Sequence, residues 1–375
     1  MKDRKPLDFL LPGRFFGGLV QGLPPVPAYM FHQVDAAEFE RQCARIRKQR
    51  RSALLFGDLL QGRPVEAGAV LLTFDDGWSS VWSMGLPLLR RYDLRITLFL
   101  PPLCVEDSSE LRSTLDDGAS PAELTARDLS AHGRLTWGEV AALQASGHVD
   151  VQSHSLHHGV AFNSGALSGF IGPAGPFPLD GLAPLVVAGD SGDQVQFHPP
   201  PGTPLYDWGP ALEVPRRFLP CAQVAARCQQ LVADEGAELF FSRPDWQATL
   251  RAHAGDGAAG TWETDDQRRQ RYRLDLGESR RLIEQRVPDA RVRVLAPPWA
   301  RMHEDLPQIA QECGFEFLVM GYPFRHGQYR SPLPVYPRLF GDALWTHLDG
   351  PLLGAQRWLQ ARRRTLRRRR AGAIP

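Results

Sequence analysis

The stretch LLTFDDGWSS, from Leu71 to Ser80, joins a buried-looking apolar run to two adjacent acidic residues, Asp75 and Asp76. Neighbouring carboxylates repel each other unless a cation or a proton lies between them. Asp-Gly is also a common turn pair, so the stretch by itself predicts only a strand that ends in a turn. Its meaning depends on which other residues can reach the two acids.

Further apolar runs resemble the run before Asp75, and segments with helical spacing follow or separate most of them. The predicted strands are Ala69–Thr73, Ile96–Leu100, Val149–Gln152, Val292–Ala296 and Phe315–Met320. The predicted helices are Ser80–Tyr92, Thr136–Ser146, Leu274–Val287 and Glu304–Cys313. This alternation predicts an α/β fold with a parallel sheet, either open or closed into a barrel.

Polar clusters begin where three of these runs end. TFDDG follows the first run, SHSLHH the third and PPWARMHE the fourth. In parallel α/β folds the ligand site lies beyond the carboxyl ends of the strands. The clusters are therefore expected to meet at one rim of the sheet.

The second cluster places His154 and His158 four residues apart, with His157 as an additional candidate. Side chains at this spacing can point the same way and bind one cation. Asp76 would complete a two-histidine, one-carboxylate set, which leaves Asp75 as a general base. A cation there would relieve the repulsion between the two acids and lower the pKa of a water from about 15.7 towards roughly 7.

Composition indicates a globular protein with one irregular region. The chain has 375 residues, of which 43% are apolar and 23% charged, and its 35 glycines and 32 prolines concentrate between about 160 and 220. Periodicity is weak from Ala161 to Thr261, apart from a helical piece at Cys221–Glu235. Such a segment within a compact fold predicts a lid or substrate-binding insertion.

Cysteine usage and the first residues bear on the compartment. The five cysteines are scattered and lack CxxC spacing, which argues against a disulfide framework and a cysteine zinc site. Pro12, Gly13 and Arg14 interrupt the apolar residues near the start, and no run is long enough to span a membrane. We expect a cytoplasmic protein.

LTFDDGWSS and GHVDVQSHSLHH resemble the first two motifs of the polysaccharide deacetylases, the NodB-like carbohydrate esterase family four. The resemblance extends over roughly residues 25–160 and 260–342. It is carried further by PAYMFHQVDAAEFERQ, PLLRRYDLRITLFLP, RLTWGEVAALQASGHV, the segment ending in RVLAPPWA, and YPRLFG.

The resemblance implies a distorted (β/α) barrel of the NodB-like deacetylase type with a large loop-rich insertion. It implies Asp75 as the catalytic base, Asp76, His154 and His158 as ligands of a divalent metal, usually Zn²⁺ and sometimes Co²⁺ or Ni²⁺, and a backbone N–H near Trp299 for the oxyanion. The implied reaction is hydrolytic removal of an acetyl group from an N- or O-acetylated saccharide or glycan precursor, by a hydrolase of non-peptide carbon–nitrogen bonds. No specific nucleic acid partner is expected.

Two features depart from the family pattern. The third motif usually reads Arg-Pro-Pro-Tyr-Gly, with the arginine orienting the base, whereas this chain has Ala296 at the arginine position. Arg293 and Arg301 are the candidate replacements. The general-acid histidine is also unassigned, with three candidates: His347, His326 and His198.

Trp78, Trp208 and Trp299 are candidates for stacking on sugar rings, although a single tryptophan more often packs in a core.

These features predict three parts of the chain: an N-terminal lead at 1–24, a catalytic domain at 25–342 with its insertion at about 161–260, and a basic tail at 343–375. Eight of the 43 basic residues lie between Arg357 and Arg370, so the rest of the chain has 35 basic and 42 acidic residues. Such a tail either contacts an anionic membrane surface or nucleic acid, or is a solvated tail. Contact with a membrane would place the protein peripherally at the inner membrane.

Three other functions compete with sugar deacetylation. The same residues would suit an amidohydrolase of a non-sugar C–N bond. The absent motif arginine and acid would suit a degenerate member that binds saccharide without turnover. Two histidines and a carboxylate also occur in non-haem iron oxygenases, but no other feature of the sequence suggests a redox cosubstrate.

Overall fold

The computed structural model describes residues 26–129, 133–173, 183–189, 192–255, 259–321 and 330–349. The predicted N-terminal lead and all of the basic tail beyond residue 349 lie outside the described residues. Within the described part, no helix combines the length and the apolar character needed to cross a bilayer.

Eight parallel strands form the main sheet, in the order β1-β14-β13-β12-β5-β4-β3-β2. Their bounds are β1 Ala28–Phe31, β2 Ala53–Leu54, β3 Val70–Asp75, β4 Ile96–Leu100, β5 Val149–Ser153, β12 Val294–Leu295, β13 Phe317–Gly321 and β14 Val335–Phe340. Strand β1 pairs with both β14 and β3, which closes seven strands into a barrel, and β2 pairs with the start of β3. The predicted α/β barrel is confirmed.

The helices associated with these strands follow the predicted pattern. They are α1 Ala36–Lys48, α2 Phe56–Leu60, α3 Leu86–Tyr92, α4 Pro121–Leu129, α5 Trp137–Ala145, α9 Asp265–Arg286, α10 Leu306–Glu312 and α11 Leu344–Asp349. A π-helical turn at Val81–Gly85 precedes α3, within the single helix predicted over Ser80–Tyr92. Helix α9 begins nine residues before the predicted Leu274.

Local hydrogen bonds explain the two largest differences in bounds. Before α9, Thr264 and Gln267 exchange side-chain to backbone hydrogen bonds, and this capping box starts the helix among charged residues. Strand β12 is shorter than the predicted Val292–Ala296. The Gln152 side chain accepts from the backbone N–H groups of Arg293 and Val294, at 2.8 Å each, where a neighbouring strand would otherwise accept.

Alternate residues of β3 point into and out of the barrel, as the period of a strand requires. Leu71 lies in the interior cluster that includes Phe99, Val319 and Tyr336. Phe74 points outward and stacks on Phe31 of β1, with ring centroids 5.1 Å apart. The inward positions of β3 therefore lead from an apolar core at Leu71 to Asp75 at the strand's carboxyl end.

The chain divides into two compact units. Unit 1 contains the described residues up to Leu156, Leu276–Ala300 and the described residues from Ala310 onward. Unit 2 contains His157–Asp275 and Arg301–Ile309. Unit 2 includes the segment predicted as an insertion, although the predicted domain boundaries themselves stay predictions.

Unit 2 has regular secondary structure where the sequence predicted mainly loops. Its strands are β6 Val160–Phe170, β7 Leu185–Gly189, β8 Gly192–Gln196, β9 Pro204–Pro210, β10 Phe218–Pro220 and β11 Gly260–Trp262, and its helices are α6 Ala222–Glu235, α7 Ala237–Ser242 and α8 Trp246–Ala254. A four-stranded sheet has the order β8-β7-β6-β9, and β10 pairs with β11. Register shifts between β6 and β9 and frequent glycine and proline hide the strand period in the sequence.

Candidate metal and catalytic site

The acidic pair and the first histidine follow the carboxyl ends of two barrel strands. Strand β3 ends at Asp75 and β5 ends at Ser153, so Asp76 and His154 are the first residues beyond these ends. Strand β4 lies between the two and pairs with both. The clusters that follow β3 and β5 therefore meet at one rim of the barrel, as predicted.

Asp76, His154 and His158 each offer one ligand atom, and these three atoms lie within 4.8 Å of one another. All three residues are buried. The Nε2 atom of His154 is 3.4 Å from Oδ1 of Asp76. Two ligand atoms at about 2.0–2.2 Å from one tetrahedral zinc ion are separated by roughly this distance. The donor set therefore fits a divalent cation, with a coordination position left for water or substrate.

Hydrogen bonds orient the two ligands that belong to unit 1. Nδ1 of His154 lies 2.6 Å from the backbone carbonyl oxygen of Ala296, so this nitrogen carries the proton and Nε2 is left to coordinate. The indole N–H of Trp78 donates to Oδ2 of Asp76 at 3.3 Å, which leaves Oδ1 directed at His154. Arg134 stacks on the Trp78 ring at 4.2 Å and donates to the backbone oxygen of Asp76.

The backbone at these ligands has unusual torsion angles. Asp76, Ser155 and His158 have φ values of 71°, 66° and 53°, in the left-handed region that non-glycine residues rarely adopt. Each such residue costs about 1–3 kcal/mol and persists only where the surrounding structure enforces it. The strain at two of the three predicted ligands is typical of a functional site.

Asp75 is held by a buried arginine that the sequence analysis did not single out. Arg338, on β14, donates to both carboxylate oxygens of Asp75 at 2.6 Å and to the Thr73 hydroxyl at 2.8 Å. Both side chains of the ion pair are only 2% exposed, and the guanidinium lies over the Phe99 ring. The sequence signals were a single arginine within the apolar strand VYPRLF, 263 residues from Asp75, and the resemblance of YPRLFG to the deacetylase family.

The Asp75 carboxylate is ionised although it is buried. Burial alone would raise its pKa, but the Arg338 guanidinium, with smaller contributions from His154 and His32, holds the pKa of Asp75 below its usual value. Oδ2 of Asp75 lies 3.9 Å from Nε2 of His154. A charged carboxylate therefore lies beside the donor set, as a general base requires.

Neither predicted replacement for the motif arginine contacts Asp75. Arg293 precedes β12 and lies 3.7 Å from Glu316, and Arg301 pairs with Glu213 at 3.0 Å. Both expectations are wrong because they assumed that the replacement would be close to Ala296 in sequence. The barrel instead brings β14 beside β1, from where Arg338 reaches Asp75.

His157 is not among the clustered donors. Its Nδ1 accepts from the N–H of Gly159 at 2.9 Å, and its Nε2 lies 3.0 Å from a carboxylate oxygen of Asp275. Both ring nitrogens are thus engaged with protein groups. The structure groups His154 with His158 and directs the intervening histidine elsewhere.

Of the three candidate acids, His347 is not supported by its surroundings, and His198 and His326 stay predictions. His347 lies 2.6 Å from Arg51 and beside Gly68, two residues before β3 begins, whereas Asp75 is the last residue of that strand. Burial and the Arg51 charge lower the pKa of His347 to about 4, so this ring is neutral at pH 7. His198 is an exposed residue of unit 2, two residues after β8, and His326 lies outside the described residues.

The tryptophans differ in their surroundings. Trp299 follows β12 at the carboxyl end of the barrel, is 39% exposed and has a φ of 55°. Its role in holding an oxyanion stays a prediction. Trp208 lies in β9 and packs at the edge of an apolar cluster of unit 2. Trp78 hydrogen-bonds Asp76, a predicted metal ligand.

Residues 62–164 match the family model described as polysaccharide deacetylase. In this segment the chain is similar to the polysaccharide deacetylase family. The matched segment contains Asp75, Asp76, His154 and His158, but not Trp299. Members of the family are hydrolases of carbon–nitrogen bonds other than peptide bonds, which confirms the predicted enzyme class.

Several solved structures resemble this chain. A de-N-acetylase from Aggregatibacter actinomycetemcomitans is 13% identical, with 85% of this chain and 94% of that chain covered and a TM-score of 0.48. The BpsB deacetylase domain from Bordetella bronchiseptica is 16% identical, with 84% of this chain and 97% of that chain covered and a TM-score of 0.47. IcaB from Ammonifex degensii is 15% identical, with 88% of this chain and 98% of that chain covered and a TM-score of 0.45. Scores this low support no conclusion about substrate. No curated protein matches the chain.

Proposed function

We propose that this chain is a metal-dependent hydrolase that removes an acetyl group from an N- or O-acetylated saccharide or glycan precursor. The observation that carries the proposal is the grouping of Asp76, His154 and His158 beside the ionised carboxylate of Asp75. Zn²⁺ is the expected ion, with Co²⁺ or Ni²⁺ as alternatives, because two imidazoles and one carboxylate suit each of them.

A divalent cation bound here would polarise the acetyl carbonyl and lower the pKa of a water molecule. Asp75 would accept a proton from the attacking water, since each of its oxygens keeps a second lone pair besides the one that Arg338 occupies. Arg338 fixes the direction of the carboxylate and keeps it charged. The backbone N–H near Trp299 would donate to the oxyanion that forms on the acetyl oxygen.

His32 is the proposed proton donor to the departing amine or alcohol. Phe31, the last residue of β1, pairs with Phe74 of β3, so His32 is level with Asp75 on the neighbouring strand. Its charge acts on the Asp75 carboxylate, and its side chain is exposed, where a substrate can reach it. A protonated imidazole can act as a general acid for a departing amine or alkoxide.

The first experiment measures bound metal and released acetate on the purified chain. We expect one divalent metal ion per chain and acetate release from N- or O-acetylated saccharides. The same preparation is tested against cyclic and linear amides. Hydrolysis of the amides but not of the acetylated saccharides would favour the amidohydrolase alternative. Saccharide binding without any acetate release would favour the non-catalytic alternative.

Three variants separate the proposed roles. Asp75→Asn should keep the metal and lose turnover, because it removes the base and no ligand. His154→Ala should lose both metal and turnover. His32→Gln should keep the metal and slow turnover, because it removes the proton donor and no ligand. Unchanged turnover in Asp75→Asn would refute the mechanism.

We also propose that the protein works in the cytoplasm, with its arginine-rich tail at the inner membrane surface. The eight basic residues between Arg357 and Arg370 suit an anionic bilayer. Cell fractionation of the full chain and of a variant with these arginines changed to glutamine tests this. Salt-sensitive membrane association is expected only for the unmodified chain.

A further inference from the structure

A second segment of unit 1 lies beside the strained turn that carries Asp76. Asp76 and Gly77 have φ values of 71° and 69°. The N–H of Leu135 donates to the backbone oxygen of Gly77 at 2.9 Å. Trp78 and Arg134 form an antiparallel bridge. These contacts hold in place a turn whose torsion angles an aspartate rarely adopts.

Arg134 and Trp78 hold both the main chain and the side chain of Asp76. A guanidinium N–H of Arg134 donates to the backbone oxygen of Asp76 at 2.7 Å. The same guanidinium lies over the Trp78 ring, 4.2 Å from its centroid, and the indole N–H donates to Oδ2 of Asp76 at 3.3 Å. One face of the indole is thus covered by the arginine, and the stacked pair fixes the Asp76 carboxylate.

The support for Arg134 is itself anchored. The side chain of Arg112, which is 7% exposed, donates to the backbone oxygen of Arg134. The Arg112 guanidinium also donates to both carboxylate oxygens of Glu139, at 2.8 and 2.6 Å, and Glu139 is fully buried. Glu139 belongs to the capping box that starts helix α5 at Trp137. Because a bidentate ion pair has a fixed geometry, helix α5 defines the position of Arg134.

The hydrogen bond from Trp78 decides which oxygen of Asp76 faces the other ligands. With Oδ2 engaged by the indole, Oδ1 lies 3.4 Å from Nε2 of His154. Donors to a ligating carboxylate orient it, and their loss typically lowers metal affinity or activity by roughly 10–100-fold. A carboxylate that is free to rotate would also lose conformational entropy when a cation binds. Metal affinity is therefore the property on which these contacts should act.

We propose that Trp78 and Arg134 are positioning residues that set the affinity of the site for its divalent cation, because they hold Asp76 in its ligand geometry before the cation binds. This inference rests on the metal site of the proposed function, but it does not depend on which substrate is hydrolysed. A merely structural role predicts a different result. Loss of either residue would then lower the stability of the fold and leave metal affinity unchanged.

Trp78→Phe is the central variant, because it keeps a ring beside Arg134 and removes the indole N–H that Asp76 accepts. Zn²⁺ affinity is measured by competition with a chromophoric chelator and should fall about tenfold. Trp345→Phe is the matched control. Trp345 is 2% exposed and donates its indole N–H to a carboxylate oxygen of Glu38, which links α11 to α1. This variant loses the same kind of bond at a carboxylate that is not a proposed ligand, so Zn²⁺ affinity should stay within about twofold.

Arg134→Met and Arg134→Lys separate the two contacts of the guanidinium. Arg134→Met loses the bond to the Asp76 backbone and should weaken Zn²⁺ binding at least as much as Trp78→Phe. Arg134→Lys keeps a donor but not the planar group that stacks on the indole, so it should recover part of the affinity. With Co²⁺ in place of Zn²⁺, the visible absorption of Trp78→Phe should differ from that of the unmodified chain, whereas Trp345→Phe should match it.

Urea midpoints measured without metal show that each variant compared is folded. Unchanged Zn²⁺ affinity and an unchanged Co²⁺ spectrum in Trp78→Phe would overturn the positioning role and leave the proposed hydrolysis intact. Weaker Zn²⁺ binding in that variant, with no acetate release even from the unmodified chain, would support the positioning role and refute the hydrolysis. An unmodified chain that binds no divalent cation would refute both.

Discussion

Replacing Arg338 with methionine should affect both the stability of the barrel and the pH range of catalysis. Arg338 donates to both oxygens of Asp75 at 2.6 Å, and each side chain is 2% exposed. Methionine removes the charge but keeps much of the side-chain volume. The Asp75 carboxylate is then left buried without its main partner, and removing one member of a buried pair costs about 3–5 kcal/mol.

The structure also predicts how the pH dependence changes. With Arg338 present, the pKa of Asp75 is below its usual value, so the ionised carboxylate stabilises the folded state. This contribution to the free energy of unfolding is complete above the unfolded-state pKa of Asp75 and is lost as the pH falls through its folded-state pKa. Without Arg338, burial raises the pKa of Asp75. The acid limb of the pH–rate profile should therefore move to higher pH. At a fixed pH on that limb, the rate should fall about tenfold for every tenfold decrease in the ionised fraction of Asp75.

Urea unfolding and the pH profile of acetate release measure these two effects. Arg338→Met should unfold at lower urea and retain its metal, because Arg338 is not one of the three clustered donors. The double variant Asp75→Asn/Arg338→Met should recover much of the lost stability, since no buried charge remains. A single variant with unchanged urea midpoint and unchanged acid limb would refute the assigned role.

Three further outcomes follow from the described contacts. His157→Ala should retain bound metal, whereas His158→Ala should lose it, because both ring nitrogens of His157 are engaged by Gly159 and Asp275; equal metal loss in elemental analysis would contradict this. His347→Gln should leave the rate of acetate release within about twofold, because burial keeps its ring neutral at pH 7. Asp150→Asn should raise the free energy of unfolding, measured by urea titration, by about 1–3 kcal/mol at pH 7.5 but not at pH 4. Burial raises the pKa of Asp150 to about 6, so its destabilising ionisation develops as the pH rises from about 4 through 6; equal gains at both pH values would exclude this cause.

The sequence predicted the parts of the site that are local in the chain. Asp76 lies directly after a strand, and His154 and His158 are four residues apart, so strand ends and spacing were enough to group them. Ile96–Leu100 was also predicted with its observed bounds, because a short apolar run between turns has few alternatives. These features depend on local pattern, which a single sequence contains.

Other features depend on contacts between distant segments and could not be predicted. Arg338 reaches Asp75 only because barrel closure brings β14 beside β1, and nothing near Ala296 indicates this. The sheet of unit 2 was likewise missed, because glycine, proline and the register shifts between β6 and β9 remove the alternation that identifies a strand. Long-range pairing determined both features.

The position of Ala296 has a consequence for how such barrels can vary. Its backbone carbonyl supports His154, while its methyl group occupies the apolar barrel interior, in the same cluster as Phe99, over whose ring Arg338 lies. The main-chain contact survives any substitution at this position, so the side chain there is free to change. An arginine at position 296 would compete with Arg338 for one interior space. We therefore expect the two positions to exchange the guanidinium as a pair, with a small residue always at the other.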